Sequence, residues 1–298
     1  MSQVPLSESL HYEGKIRLIY NETNPRLRYQ VSHLKPDNTW TQPNIIAGVS
    51  SVLALIPKPY LVAWAGLVAT EKAIELLDSQ TVINVRKFVA EYTEKYKVTA
   101  YEAIKVARKN YPILGDIAKG HTAKSDEAKN TGTDAHNALE AFVLGTDYTC
   151  STPGGANALE SFKNSVIKID KAVTEQPILS RQHSYAGRFD LFCEIGGKKI
   201  MADWKTNKRD KRYNPSGAHM ENFVQMGAYA LAYQEEHGVI VDDLAVINVD
   251  KENGEPAIIT YASDFDLSVE EAMSLFISMK YVADGIRQLD HRWANSKL

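Results

Sequence analysis

Asp190, Asp203 and Lys205 are the residues whose types and spacing could do chemistry. They sit on two alternating runs, 186–195 and 198–206, separated by Gly196-Gly197, which marks a two-residue hairpin turn. The turn sets a register in which Ile195 meets Lys198, Glu194 meets Lys199, Phe192 meets Met201, Asp190 meets Asp203 and Arg188 meets Lys205. With a side-chain period of two, Phe189, Leu191, Cys193 and Ile195 share an apolar face with Ile200, Ala202 and Trp204. The other face carries Arg188, Asp190, Phe192 and Glu194 against Lys205, Asp203, Met201 and Lys199. Near the turn, Glu194 and Lys199 compensate each other. At the far end two carboxylates oppose each other with Cβ atoms about 5 Å apart, which destabilises the pair unless a cation lies between them. Oxygen ligands suit Mg²⁺ or Mn²⁺. Lys205 projects to the same side, where an ammonium orients an attacking water or steadies a phosphate. The plainer alternative is a strand end whose acids are solvated or paired with Arg188 and Lys205.

The elements that must position these residues follow from periodicity. Segments 172–179, 186–195, 198–206, 244–249 and 256–261 read as strands, with Asn253-Gly254 turning between the last two. A long helix from about Pro215 to His237, ended by Gly238, separates the third strand from the fourth, and Ser268-x-x-Glu271 caps a final helix to about Leu289. Upstream, residues 15–20 and 26–31 alternate around Asn24-Pro25 as an N-terminal hairpin. From residue 44 to 120 the pattern is helical, with a capping box at Thr99-x-x-Glu102 and an interruption at Tyr111-Pro112. A helix covers 133–144 with Gly145 as its stop, and another follows a loop at 147–157. The expected architecture is α/β in the α+β sense, a mixed sheet core flanked by helices. Its divisions are an N-terminal hairpin extension (1–43), a helical region gating the site (44–130) and a core with a closing helix (131–298).

Composition narrows the function. The chain has 298 residues, 44% hydrophobic and 24% charged, enough for one large domain with additions or for two. Its 34 basic and 37 acidic residues give a formal charge of −3, so any nucleic-acid surface must be local. Residues 198–213 supply one, with seven Lys/Arg against two Asp; Lys208, Arg209, Lys211 and Arg212 cluster just after Lys205. The two cysteines exclude a four-thiolate zinc site or an iron–sulfur cluster. Gly115 to Thr122 nearly spells a phosphate-binding P-loop, but His121 stands where its lysine belongs, so no nucleotide cofactor or motor is expected. Residues 45–69 carry a single charge, yet Pro57-Lys58-Pro59 cuts them into halves of about a dozen residues, short of the roughly 20 that a bilayer needs. The N-terminus has no secretory pattern, and a soluble, cytoplasmic protein is expected.

Asp190 followed by Asp203-x-Lys205 resembles the signature of the PD-(D/E)XK nuclease superfamily, with Phe189 in place of the proline. Gly132-Thr-Asp-Ala-His136, with Glu140 one turn on, resembles the upstream histidine motif of the RecB-like exonuclease branch, which includes many phage exonucleases. Glu175 lies on the strand before the hairpin, where such enzymes carry an acid, and Gln225-x-x-x-Tyr229 matches a Q-x-x-x-Y motif on the next helix. Each has a structural alternative: a His136–Glu140 hydrogen bond along one helix face, a surface acid at Glu175, a boundary core residue at Tyr229.

The resemblance spans about residues 44–235 and implies a restriction-endonuclease-like sheet. It implies Mg²⁺ or Mn²⁺ held by His136, Asp190, Asp203 and the Trp204 carbonyl, with catalysis by Lys205, Asp190, Asp203 and Glu175, and Glu140 in support. Gln225, Tyr229, Arg188 and the 208–212 loop would hold DNA, as a single strand or a duplex end. The implied reaction is exonucleolytic hydrolysis leaving 5′-phosphate and 3′-hydroxyl ends in replication, recombination or repair, with a single-strand-binding or annealing protein as a conceivable companion. The alternatives are a structure-specific endonuclease and an inactive DNA-end-binding recombination protein.

Overall fold

Gly196 and Gly197 take φ of 60° and 81° in the computed structural model, the positive values that a two-residue hairpin turn requires. The structure describes residues 7–21, 24, 28–207, 209 and 214–295, without the side chains of 59, 60 and 290–295. Around that turn β7 (Tyr185–Ile195) and β8 (Lys198–Lys205) pair antiparallel in the expected register, from Ile195–Lys198 to Leu191–Ala202. β6 (Asp170–Ser180) pairs antiparallel with β7. β9 (Asp243–Asn248) runs parallel to β8, and β10 (Ile258–Tyr261) antiparallel to β9. The short β5 (Ala47–Gly48) lies parallel to the start of β7. The result is a mixed sheet flanked by helices, an α+β fold.

Each face of the sheet has its own core. On one, Tyr185, Phe189 and Met201 pack with Phe223, Met226 and Tyr229 of α7 (Met220–His237), Phe276 of α8 (Val269–Asn295) and Val49 and Val52 of α1 (Val49–Leu53). On the other, Leu191, Cys193, Ile200, Ala202 and Trp204 pack with Ala135 and Leu139 of α5 (Pro112–Leu144) and Ala158 and Phe162 of α6 (Pro153–Lys163). Gly145 (φ 69°) and Gly238 (φ 65°) follow α5 and α7 in the left-handed conformation that ends helices.

The single apolar face expected on β7 is divided: Phe189 packs with α7, and Leu191 and Cys193 pack on the opposite side. The physical cause is Glu175. It holds φ of +49°, a left-handed value that L-residues other than Gly seldom adopt in a strand. The β6–β7 ladder pairs Thr174 with Leu191 and Gln176 with Phe189, and passes over Glu175 and Asp190 between them. Alternation slips by one at that point in both strands: in β6, Ala172 packs against the α5–α6 core while Ile178 lies in the α7 core.

The N-terminal hairpin is part of a second, four-stranded antiparallel sheet: β1 (Ser7–His11), β2 (Ile16–Tyr20), β3 (Tyr29–His33) and β4 (Asn44–Ile45). Ile16, Leu18 and Val31 bury themselves with Leu179 and Ala186 of the larger sheet. The Tyr12 hydroxyl donates to the Leu179 carbonyl (2.9 Å), and His11 Nδ1 meets Glu236 Oε2 (2.8 Å).

The chain divides into two compact units, Pro57–Asn130 and the remainder. Residues 44–56 therefore belong with the sheets, because β4, β5 and α1 pair or pack there. The helical unit holds α2 (Pro59–Leu76), α3 (Ser79–Tyr96), α4 (Ala100–Asn110) and the first half of α5. Thr99 and Glu102 form the expected capping box. Residues 115–122 lie inside α5, so the P-loop look-alike is helix. Among the described residues, no helix is long and apolar enough to cross a membrane.

Candidate metal and phosphate site

Three elements bring ligand-type atoms together. His136 from α5, Glu175 from β6 and Asp190 from β7 place one ligand atom each within 4.8 Å of one another, all half-buried. His136 Nδ1 stands 3.4 Å from Asp190 Oδ2, and Arg188 donates to Glu175 Oε2 at 3.2 Å. The slip at Glu175 and Asp190 is what lets two strands and the helix covering one face of the sheet share this spot. Asp190 Oδ2 also accepts the Trp204 amide at 3.1 Å, taking the place of a ladder bond beyond the last regular β7–β8 pair. Because a strand residue's N–H and C=O point to the same neighbour, the Trp204 carbonyl faces this side too. The Trp204 indole is buried edge-on against Phe162, 5.4 Å between centroids.

Glu140 does not bond His136; it accepts from the Thr174 hydroxyl at 2.9 Å, tying α5 to β6 beside Glu175. Glu194 pairs with Lys171 of β6 (2.8 Å) rather than with Lys199, although Lys199 lies opposite it on β8. Asp203 is buried and ion-paired with Lys205, so the ligand cluster centres on Glu175 where the sequence pointed to Asp203.

Electrostatics mark the site. Burial first, and Asp190 second, push the Glu175 carboxyl up to about 7. Burial, opposed by Lys205 and reinforced by Asp190, raises Asp203 as well. Burial would strip the proton from Lys205, but Asp203, Asp190 and Glu221 of α7 hold it in place and raise its pKa. Lys205 is therefore an ammonium and a donor, not a base. Crowded carboxylates with an imidazole among them are a donor set that a divalent cation would relieve, and oxygen ligands fit Mg²⁺ or Mn²⁺.

Gln225 donates to the Tyr229 hydroxyl at 2.9 Å, and Tyr229 is buried, its phenol raised by burial and by Asp190 and Asp203. It packs against Gly187, where a Cβ would stand 2.6 Å from its ring. Arg209 makes no open phosphate grip: its guanidinium donates to the Asn248 and Pro256 carbonyls at 2.7 and 3.0 Å. Lys208, Lys211 and Arg212 lie outside the described residues.

Asp134 is a residue to which sequence reasoning gave no role. It is buried two residues before His136 on α5 and accepts from Tyr148, from the amide and hydroxyl of Ser151, and from those of Thr152, at 2.7–3.0 Å. Burial would raise its carboxyl; the hydrogen bonds override that and hold it well below the usual range. Gly155 leaves room for it, since a Cβ there would meet Asp134 Oδ2 at 2.1 Å. Ser151-Thr152-Pro153 ahead of α6, a helix-capping signal, was the available clue.

No family model matches the chain, and no curated protein matches it. Among solved structures it is similar to SSO0001, at 14% identity over 76% of this chain and 86% of that one, with a TM-score of 0.29. A likeness of that strength says nothing about function.

Proposed function

We propose that this protein is a metal-dependent DNA exonuclease of the PD-(D/E)XK type, hydrolysing phosphodiester bonds to leave 5′-phosphate and 3′-hydroxyl ends. The observation that carries the reading is the convergence of His136, Glu175 and Asp190 within 4.8 Å, with the Asp203–Lys205 pair in electrostatic reach of the same acids. The order of these residues along the chain and the elements that bear them agree with the signature noted above. Glu175, Asp190 and His136 would hold Mg²⁺ or Mn²⁺, with Asp203 and the Trp204 carbonyl alongside. A divalent ion bound there would lower the pKa of a bound water and neutralise charge developing on the phosphate. Lys205, kept protonated, orients the attacking water or a phosphate oxygen; the carboxylates are the groups free to accept the water's proton. Arg188 and Glu175 hold each other in place at the strand edge, and Gln225 fixes the Tyr229 hydroxyl under the acids.

The test uses end-labelled linear and closed circular DNA, single- and double-stranded, with Mg²⁺, Mn²⁺ or EDTA. Metal-dependent loss of linear DNA alone, reduced at least about 100-fold in Asp190→Asn, is expected. Cleavage of circles would replace exonuclease with endonuclease. Binding without cleavage under every condition would overturn the catalytic reading.

A further inference from the structure

Beside the acids, where β6 carries Glu175 and β7 carries Arg188, the small N-terminal sheet walls a cavity of about 230 Å³. Leu18 and Pro177 contribute apolar surface, Tyr20 and Tyr29 contribute rings, and Glu175 and Arg188 border it on the catalytic side. The two rings pack on each other at 5.2 Å and 44°, and the Arg188 guanidinium lies over Tyr20 at 5.7 Å. The volume is below the roughly 300–1,000 Å³ of drug-sized sites and admits one flat ring system, not a base pair. Glu8, also on the wall, is engaged by Arg17 at 3.6 Å.

Tyr29 is also the wall of a second, adjoining cavity whose polar lining includes Arg28, Ser51 and Arg287. The Arg28 Nε is buried without a hydrogen-bond partner among the described residues, an unmet donor beside an open cleft. Gly48 makes room for the Tyr29 ring, since a Cβ there would lie 2.9 Å from its Cε2. Cation, aromatic wall and cation thus follow one another toward the acids: Arg28, Tyr29 with Tyr20, then Arg188. Alternating charge and π-face is how proteins hold single-stranded nucleic acid.

We infer that the Tyr20–Tyr29 cavity receives one unpaired base at the end of a single strand, with Arg28 holding the backbone phosphate beyond it, so that the strand's next phosphodiester reaches Glu175 and Asp190. The inference rests on the nuclease reading and adds a substrate preference to it: frayed or single-stranded ends over blunt duplex ends.

The test is fluorescence anisotropy in EDTA, where nothing is hydrolysed, with an internally labelled thymidylate strand and a blunt duplex. Wild type is expected to bind the strand more tightly. Tyr20→Ala should weaken strand binding about 10- to 100-fold and leave duplex binding unchanged, whereas Tyr20→Trp retains it. Arg28→Ala should weaken binding several-fold and flatten its salt dependence by about one phosphate contact; it stands in if Tyr20→Ala fails to fold, as judged by thermal melting. Wild type that prefers the blunt duplex, or a folded Tyr20→Ala that binds the strand normally, would overturn the inference. The two readings fail separately. Strand binding lost in Tyr20→Ala, from a wild type that cleaves nothing with Mg²⁺ or Mn²⁺, keeps the cavity and sinks the nuclease. Cleavage with unchanged KM in Tyr20→Ala does the reverse.

Discussion

At the scale of single residues, Glu175, Asp203 and Lys205 have pKa values raised above their ordinary ones. Glu175 titrates near 7 when folded and near 4.5 when unfolded, so the folded state binds more protons between those values. Stability then falls as pH rises from about 4.5 to about 7 and is flat above. Melting without metal should show that decline, and Glu175→Gln should remove about 1–2 kcal/mol of it, allowing for solvent screening of a half-exposed group. Lys205→Met strands Asp203 in the interior. The loss should be about 3 kcal/mol at pH 8, where Asp203 must ionise or stay protonated against the solvent, and smaller at pH 5. Urea unfolding at both values checks it. Asp134 has the opposite sign: its depressed carboxyl stabilises the fold above about pH 4 and loses that contribution on acidification. Asp134→Ala should cost about 3 kcal/mol at pH 7 by unmaking hydrogen bonds to a buried charge, measured by the same unfolding curves.

At the scale of elements, the phase slip between β6 and β7 decides what the sheet can hold. Glu175→Asn keeps a side chain tolerant of the left-handed region, whereas Glu175→Val does not and should lose a further 1–2 kcal/mol or so, read from the difference in their denaturant midpoints. The strands and the hairpin register were legible in the sequence because Gly-Gly and strict alternation are local signals, as were the Thr99–Glu102 box and the stops at Gly145 and Gly238. The slip was not. It depends on one backbone angle at a glutamate, a residue type that carries no signal for positive φ, and so Phe189 was assigned to the wrong face. β1 was missed because Ser-Glu-Ser-Leu-His is mostly polar and owes its strand to pairing with β2. His136, Glu175 and Asp190 were each readable as candidates, but their convergence belongs to tertiary structure.

At the scale of the whole molecule, net charge and local charge disagree in sign. Residues 198–213 are basic in a chain of formal charge −3. Arg209 is committed to carbonyls, so on the nuclease reading the segment's other cations would supply a few phosphate contacts. Single-strand affinity should therefore fall with a log–log salt slope of about −2 to −4, measured between 50 and 200 mM salt. The Glu175 slip also has a consequence for how such a chain can change length. Extra residues at the Gly196-Gly197 tip lengthen a solvent-facing turn and leave every side chain on its own side. One residue gained or lost within β6 or β7 exchanges inside for outside along the rest of the strand it falls in. Same-length substitution keeps that phase, while insertion and deletion are confined to the turns and ends, as though the sheet had a reading frame of its own.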